Sequence, residues 1–98
     1  MAKFLITKKA IQDLSEIWEY TFDKWSEKQA DKYYFMLLDY CEAIAENPAI
    51  GKKYSSVMEE LQGFRIAEHI IFYRLSTMDT IEVLRILHAR MDLKGKEY

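Results

Sequence analysis

The sequence predicts an α+β fold, a two-layer sandwich in which an N-terminal helical hairpin packs on a small, mainly antiparallel sheet. Three observations predict this class. The first half of the chain repeats its apolar residues at helical spacing, and the second half contains three short runs rich in Ile, Phe, Val and Tyr. The intervals between these runs are short, so consecutive strands are expected to pair antiparallel. The predicted order of elements is β-α-α-β-β-β, with the hairpin covering one face of the sheet.

The first strand and the first helix follow each other directly. The run KFLI at residues 3–6 is typical of a short strand, and Thr7 is positioned to cap the helix that follows. Charged residues separate the apolar ones in this helix, so we expect one face to be buried. The apolar positions are Ile11, Leu14, Ile17, Trp18, Phe22 and Trp25.

The second helix begins at Ser26, where SEKQ forms a capping box: the Ser26 hydroxyl can accept a backbone amide and Gln29 can reach back. Pro48 ends the helix. Almost no loop separates the two helices, so they are expected to form a hairpin. The inward stripe of the second helix is Ala30, Tyr33, Leu37, Cys41 and Ile44.

The second half of the chain is expected to supply the rest of the sheet. Residues 51–60 form a connection, and strands are predicted at 61–66, 69–76 and 80–88. Two interpretations of the tail stay open, a last turn or helix and a loose end. Side chains alternate between sheet faces, which groups Arg85 with Ile81, Val83 and Leu87.

The length and composition of the chain limit the classes of protein to which it can belong. The 98 residues are expected to form one domain, 1–98, since half are apolar and 31% are charged. No apolar run approaches the roughly 18 residues of a membrane span, and the N-terminus lacks a signal-peptide core. Cys41 stands alone and is interpreted as a small buried hydrophobe. A cytoplasmic protein without membrane contact is expected.

The charges divide unevenly along the chain. Residues 8–47 hold five lysines and nine acids, whereas all the arginines, Arg65, Arg74, Arg85 and Arg90, lie on or beside the strands. Burying an unpaired charge is costly, so we expect these guanidinium groups to face solvent or a partner on the sheet face that the helices leave uncovered. Such a platform suits phosphates or carboxylates. The alternative is that a sheet simply carries some arginine.

A second feature is YYFMLL at residues 33–38, where apolar side chains surround the helix completely. Part of this ring is expected to remain exposed as a partner site, with Tyr34 and Leu38 as candidates. The alternative is that the connection and the tail cover it.

Four stretches then carry a resemblance to a known family: DLSEIWEYTFDKWSEKQADKYY, ENPAIGKKY, FRIAEHIIFYRL and EVLRILHARMDL. In order and spacing they resemble the ParE branch of the RelE/ParE toxin superfamily. The resemblance implies a toxin that forms a hetero-oligomer with a ParD-like antitoxin and contacts operator DNA only through it. It also implies inhibition of DNA gyrase.

The sister RelE branch cleaves messenger RNA on the ribosome, and this chain departs from its pattern. Arg65 and Arg90 occupy basic positions of that branch, but Ala67, Ile70 and Lys96 stand where further basic residues and a tail tyrosine are expected. The resemblance therefore favours inhibition by protein contact over catalysis.

Two alternatives stay open. One is a ribonuclease that uses His88 as base with Arg85, Arg90 and Arg65 on the phosphate. The other is a non-toxic relative that acts only in operon regulation. No cofactor is expected, since the chain has no glycine-rich loop and its two histidines lack metal-ligand spacing. The predicted partner-binding residues are Arg65, Arg74, Arg85, His88, Arg90, Tyr34 and Leu38.

Overall fold

The computed structural model describes residues 3–77 and 79–90, and within them two helices pack on one face of a five-stranded sheet. The predicted α+β class and the predicted order of the main elements are confirmed. The predictions made for the tail lie outside the described residues.

The sheet is mixed. Its strands are β1 (Lys3–Ile6), β2 (Lys52–Lys53), β3 (Gln62–Ile66), β4 (His69–Thr77) and β5 (Thr80–His88), arranged in the order β1-β5-β4-β3-β2. β1 pairs parallel with β5, and the other neighbours pair antiparallel. The mainly antiparallel sheet is therefore as predicted. The two-residue strand β2 was not predicted, since two lysines give no strand pattern.

Both predicted helix caps are present. In α1 (Lys8–Lys24), the Thr7 hydroxyl accepts from the Ala10 amide at 3.1 Å and also donates to the Leu84 carbonyl of β5 at 2.9 Å. In α2 (Glu27–Glu46), the Ser26 hydroxyl accepts from the Gln29 amide at 3.1 Å. Thr7 therefore satisfies one free backbone amide at the start of α1 and also attaches this end of the helix to the sheet.

The main core lies between the helices and the sheet. Its centre on the sheet side is the buried Tyr73, whose hydroxyl donates to the Pro48 carbonyl at 2.6 Å and accepts from the Gly51 amide at 3.0 Å. A Cβ at Gly51 would overlap that hydroxyl, so this close approach requires glycine. Cys41 is fully buried, as predicted, and burial raises the pKa of its thiol to about 12.

The opposite face of the sheet is covered in its middle, which corrects the expectation of an open platform. The connection after β2 folds across it, and the Tyr54 ring packs over Gly63 and edge-on against Phe72, with ring centroids 5.1 Å apart. This second apolar cluster comprises Leu61, Phe72 and Leu87, with Tyr54, Val57, Met58, Ile70 and Leu84 packed against them.

A bulge in β5 breaks the expected alternation of its side chains. Phe72 pairs with Arg85 but Tyr73 pairs with Val83, which leaves Leu84 as an extra residue. Val83 and Ile86 consequently both belong to the core under the helices, whereas Leu87 belongs to the opposite cluster. The predicted grouping of Leu87 with Ile81 and Val83 on one face is therefore wrong.

Candidate partner-binding surfaces

Arg85 is held inside the fold. Its Nε and Nη2 donate to the two carboxylate oxygens of Asp13 at 2.8 and 2.9 Å, and Asp13 is only 7% exposed. The expectation that Arg85 faces solvent or a partner is wrong, since its guanidinium group pairs with a carboxylate of α1. The planar guanidinium matches the carboxylate geometry, which makes such pairs strong.

The same carboxylate also completes the edge of the sheet. β1 ends at Ile6, so the Ile86 amide further along β5 has no strand partner there, and it donates to Asp13 at 3.0 Å. Asp13 therefore satisfies one backbone donor and one buried cation together. This arrangement fixes α1 against the end of β5.

A groove of about 790 Å³ opens between α1 and the carboxyl end of β5, and we call it the α1–β5 groove. Its lining includes the buried Ile86 and two exposed aromatic residues, Tyr20 and Trp25, of which Trp25 is 70% exposed. His88 and Arg90 line it from the sheet side. Apolar residues thus meet charged groups of both signs in one concave surface, since Glu16 and Glu68 line it as well as Lys24 and Arg90.

Two histidines and a tyrosine meet inside this groove. The Tyr33 hydroxyl lies 2.7 Å from His69 Nδ1, and its oxygen also accepts from the Glu68 amide at 3.4 Å. With its oxygen so engaged, the Tyr33 hydroxyl is assigned as the donor to Nδ1. Burial, with a smaller effect from His88, lowers the pKa of His69 to about 4, so His69 is neutral at pH 7. The hydrogen bond to Tyr33 gives His69 a structural role, since it joins β4 to α2.

His88 stands opposite His69 on the neighbouring strand, with ring centroids 5.4 Å apart. Its Nδ1 accepts from the Arg90 amide at 3.1 Å, which leaves Nε2 facing Glu68 Oε2 at 3.6 Å. Arg90 itself is exposed, and no carboxylate within residues 3–77 and 79–90 forms an ion pair with it. Arg90 is therefore not paired with any carboxylate of the described residues.

The other two arginines lie on the far face of the sheet. Phe64 and Ile66 pack into the main core, so Arg65 between them points the opposite way, and its Nε donates to the Ala67 carbonyl at 3.1 Å. Arg74 forms an exposed cross-strand pair with Glu82 at 3.1 Å. The structure therefore does not bring Arg65, Arg85, His88 and Arg90 into one ribonuclease constellation.

A second candidate surface follows the outer side of the helical hairpin. Phe35 is 60% exposed and packs edge-on with Tyr34, while Ile11 on α1 is 52% exposed. Trp18 joins the two helices, since its Nε1 donates to Asp31 at 2.9 Å and its ring stacks on Phe22. The hairpin stripe, as we name this surface, comprises Ile11, Trp18, Phe22, Tyr34, Phe35 and Leu38.

The structure places the predicted candidates of the 33–38 segment on this stripe. Tyr34 and Leu38 are half-buried against the main core, and Phe35 between them in sequence, which was not singled out, is the most exposed member. The connection at residues 54–61 covers the opposite face of the sheet and not this segment. Part of the apolar ring is exposed, as expected.

Other kinds of site find little support in the described part of the chain. Residues 3–77 and 79–90 contain no group of three or more His, Cys, Asp or Glu side chains arranged to hold a metal ion. No helix in these ranges combines the length and the apolar character needed to cross a bilayer.

Comparison with known proteins gives one consistent result. Residues 4–93 match the family model described as ParE toxin of type II toxin-antitoxin system, parDE. The chain is 34% identical over 92 residues to Toxin ParE1 of Mycobacterium tuberculosis, covering 94% of both chains. It is 29% identical to Toxin ParE1 of Caulobacter vibrioides, covering 97% of both.

A solved structure shows the same fold. The chain superposes on a protein from the structure titled "Chromosomal ParDE TA system from P. aeruginosa" with a TM-score of 0.77. The sequences are 18% identical, and the match covers 90% of this chain and 96% of the other.

Proposed function

Because the chain belongs to the ParE toxin family of type II toxin–antitoxin systems, we propose that it is held inactive by a ParD-like antitoxin and inhibits DNA gyrase by protein–protein contact. It acts in the cytoplasm in this proposal. The free chain is the toxic species, and binding to operator DNA occurs only through the antitoxin within a hetero-oligomer.

The α1–β5 groove supports the antitoxin part of the proposal. Its exposed aromatic residues Tyr20 and Trp25 offer anchoring contacts, and Arg90 offers an available cation beside them. An acidic amphipathic segment fits such a surface, with its apolar side chains in the groove and a carboxylate on the guanidinium.

The single observation that carries inhibition by contact is the position of the arginines. Phosphodiester cleavage needs a base, an acid and cations that converge on one phosphate. Arg85 is committed to Asp13, and Arg65 and Arg74 lie on the far face of the sheet. Arg85 also lines the groove but is bound by Asp13, so among the described residues Arg90 and Lys24 are the lining cations left to face a phosphate, fewer than the cluster of basic residues that the ribonuclease mechanism uses.

One observation favours a second candidate, a ribosome-dependent ribonuclease. His88 Nε2 faces Glu68 at 3.6 Å, and the neutral His69 stands beside it, so an acid–base pair is available in the groove. This candidate requires Arg90 to bind the phosphate without help from Arg85. It ranks second for that reason.

Inducing the chain alone in a bacterial host separates these candidates. The proposal predicts growth arrest, loss of chromosome supercoiling and induction of the DNA-damage response, with recovery when the antitoxin is co-expressed. Transcript cuts at fixed codon positions, without a change in supercoiling, would support the ribonuclease instead. Growth that continues unchanged would indicate the non-toxic relative.

A further inference from the structure

The hairpin stripe is an apolar surface that the groove does not use. Its α2 side follows one helical row, in which Glu27, Asp31, Phe35, Leu38 and Glu42 are spaced at i, i+4, i+8, i+11 and i+15. Two carboxylates therefore lie at one end of this line and one at the other, with the exposed Phe35 and the half-buried Leu38 between them.

The α1 side continues the same surface. Trp18 contacts Asp31 across the hairpin, and the two helices run in opposite directions. Ile11, seven residues before Trp18, and Leu38, seven residues after Asp31, therefore lie at the same height along the hairpin. The residues that line up beside this row on the outer side of α1 include Glu19 and Asp23, both exposed. The two helices thus present one apolar strip, beside which these five carboxylates outnumber the exposed Lys8, Lys28 and Lys32.

The helical hairpin as a whole also carries more negative than positive charge. Residues 8–47 contain nine acids and five lysines, and Asp13 is the one acid that is buried, so eight exposed carboxylates face solvent. The groove differs, since Lys24, Arg90 and the Asp13–Arg85 pair line it together with Glu16 and Glu68, so its lining has no excess of acids. The molecule therefore offers two apolar surfaces whose surrounding charges differ.

We infer that the hairpin stripe is the surface with which this toxin docks on its target, and that the target presents apolar pockets surrounded by lysine and arginine. Proteins that handle DNA carry such basic surfaces because they neutralise phosphates. The inference rests on the proposed function, since it assigns to one surface the protein contact by which the toxin acts. It separates that surface from the one bound by the antitoxin.

The charges along the hairpin stripe disfavour two other binding partners there, an acidic antitoxin segment and a second copy of this chain. An acidic antitoxin segment would meet like charges at Glu27, Asp31 and Glu42, whereas the groove offers it Arg90. A second copy of this chain related by two-fold symmetry would place the same acidic row against itself. Like-charge juxtaposition disfavours both arrangements, and a basic partner gains attraction at each position.

The test compares stripe variants with matched variants elsewhere, using the full-length chain. Phe35→Ser removes the most exposed apolar side chain of the stripe, and Leu75→Ser is its control, since Leu75 is 50% exposed on β4 away from both surfaces. Glu42→Lys reverses one charge of the acidic row, and Glu59→Lys makes the same change in the exposed connection before β3. Each variant is measured for gyrase supercoiling inhibition, growth arrest and antitoxin affinity.

We expect Phe35→Ser and Glu42→Lys to raise the inhibitory concentration by about tenfold or more, as loss of a central interface residue does. Both controls should stay within about twofold of wild type, as surface changes usually do. Antitoxin affinity should be unchanged in all four variants, which also shows that each of them folds.

The outcomes separate the inference from the proposed function. A wild-type chain that arrests growth without affecting gyrase refutes the gyrase target alone, and growth arrest by the four variants then tests the stripe. Stripe variants that are as toxic as wild type overturn the inference, as do stripe variants that lose antitoxin affinity. Light scattering that shows a dimer dispersed by Phe35→Ser also overturns it. A wild-type chain without any toxicity overturns both.

Discussion

Replacing Asp13 by alanine gives the most demanding test of how this fold is held together. The change removes the two Asp13 oxygens that accept from the Arg85 guanidinium, whose side chain is only 20% exposed, and the acceptor of the Ile86 amide. Removing one partner of a buried ion pair costs about 3–5 kcal/mol, because the remaining charge stays desolvated. A domain of this size has a free energy of unfolding of about 5–15 kcal/mol, so the variant should lose a large part of its stability.

Urea denaturation measures this loss directly. The midpoint should fall while the slope stays constant, and the melting temperature should drop by about 15 °C or more. Arg74→Ala is the matched control, because it also breaks an arginine–carboxylate pair, but an exposed one that is worth about 1 kcal/mol or less. The double variant Asp13→Leu/Arg85→Met should recover most of the stability, apart from about 1–3 kcal/mol for the unsatisfied Ile86 amide.

A loss below about 1 kcal/mol for Asp13→Ala, or a loss equal to that of Arg74→Ala, would refute this reasoning. It would mean that water replaces the carboxylate and that Arg85 is not desolvated. Arg85 would then be accessible to a partner, as the sequence led us to expect.

Three further predictions concern pH, packing and recognition. Burial holds the pKa of His69 in the folded protein at about 4, below its usual value, so the free energy of unfolding should fall as the pH drops from about 6.5 towards 4, because the unfolded chain takes up the proton first. His69→Gln should make the stability measured by urea titration depend less on pH. The same pH dependence in the variant and the wild type would contradict a buried, neutral His69. Gly51→Ala should destabilise by about 1–3 kcal/mol in thermal melts, since its Cβ would overlap the Tyr73 hydroxyl and lie 2.8 and 2.9 Å from two carbons of that ring; an unchanged melting temperature would argue against it. Arg90→Glu should weaken antitoxin binding by about tenfold or more in calorimetry while Arg74→Ala leaves it unchanged, and equal effects of the two variants would remove Arg90 from the interface.

Local signals in the sequence were sufficient for the helices and for most of the strands. A cap requires only a hydroxyl residue before an amphipathic run, so Thr7 and Ser26 could be assigned from a few neighbouring residues. Pro48 likewise ends α2 by its own covalent geometry. The short intervals between apolar runs indicated antiparallel pairing, and β3, β4 and β5 pair in this way.

Features that depend on contacts between distant residues could not be predicted in the same way. The bulge at Leu84 leaves no signal in a pattern of alternating residues, yet it decides which side chains of β5 reach the core. Asp13 fits the pattern of charged residues that separate the apolar positions of α1, and helical spacing does not show that the sheet ends beside it. Its pairing with Arg85 spans 72 positions of sequence.

Exposure of aromatic residues was also difficult to read from periodicity. Phe22 and Trp25 follow the apolar spacing of α1 but are exposed, whereas Phe35 lies outside the inward stripe of α2 and forms part of a candidate surface. Helical spacing identifies a face, but it does not show how far the neighbouring layer extends beneath that face. The partner surfaces therefore had to be found from the packed structure.

The central claim, that this toxin acts by contact and breaks no bond itself, is tested most directly by one reaction with two readouts. The purified chain is added to gyrase with relaxed plasmid, and in parallel to translating ribosomes carrying a labelled transcript. The account predicts inhibited supercoiling, restored by adding the antitoxin, and an intact transcript. A cut transcript together with full gyrase activity would contradict it.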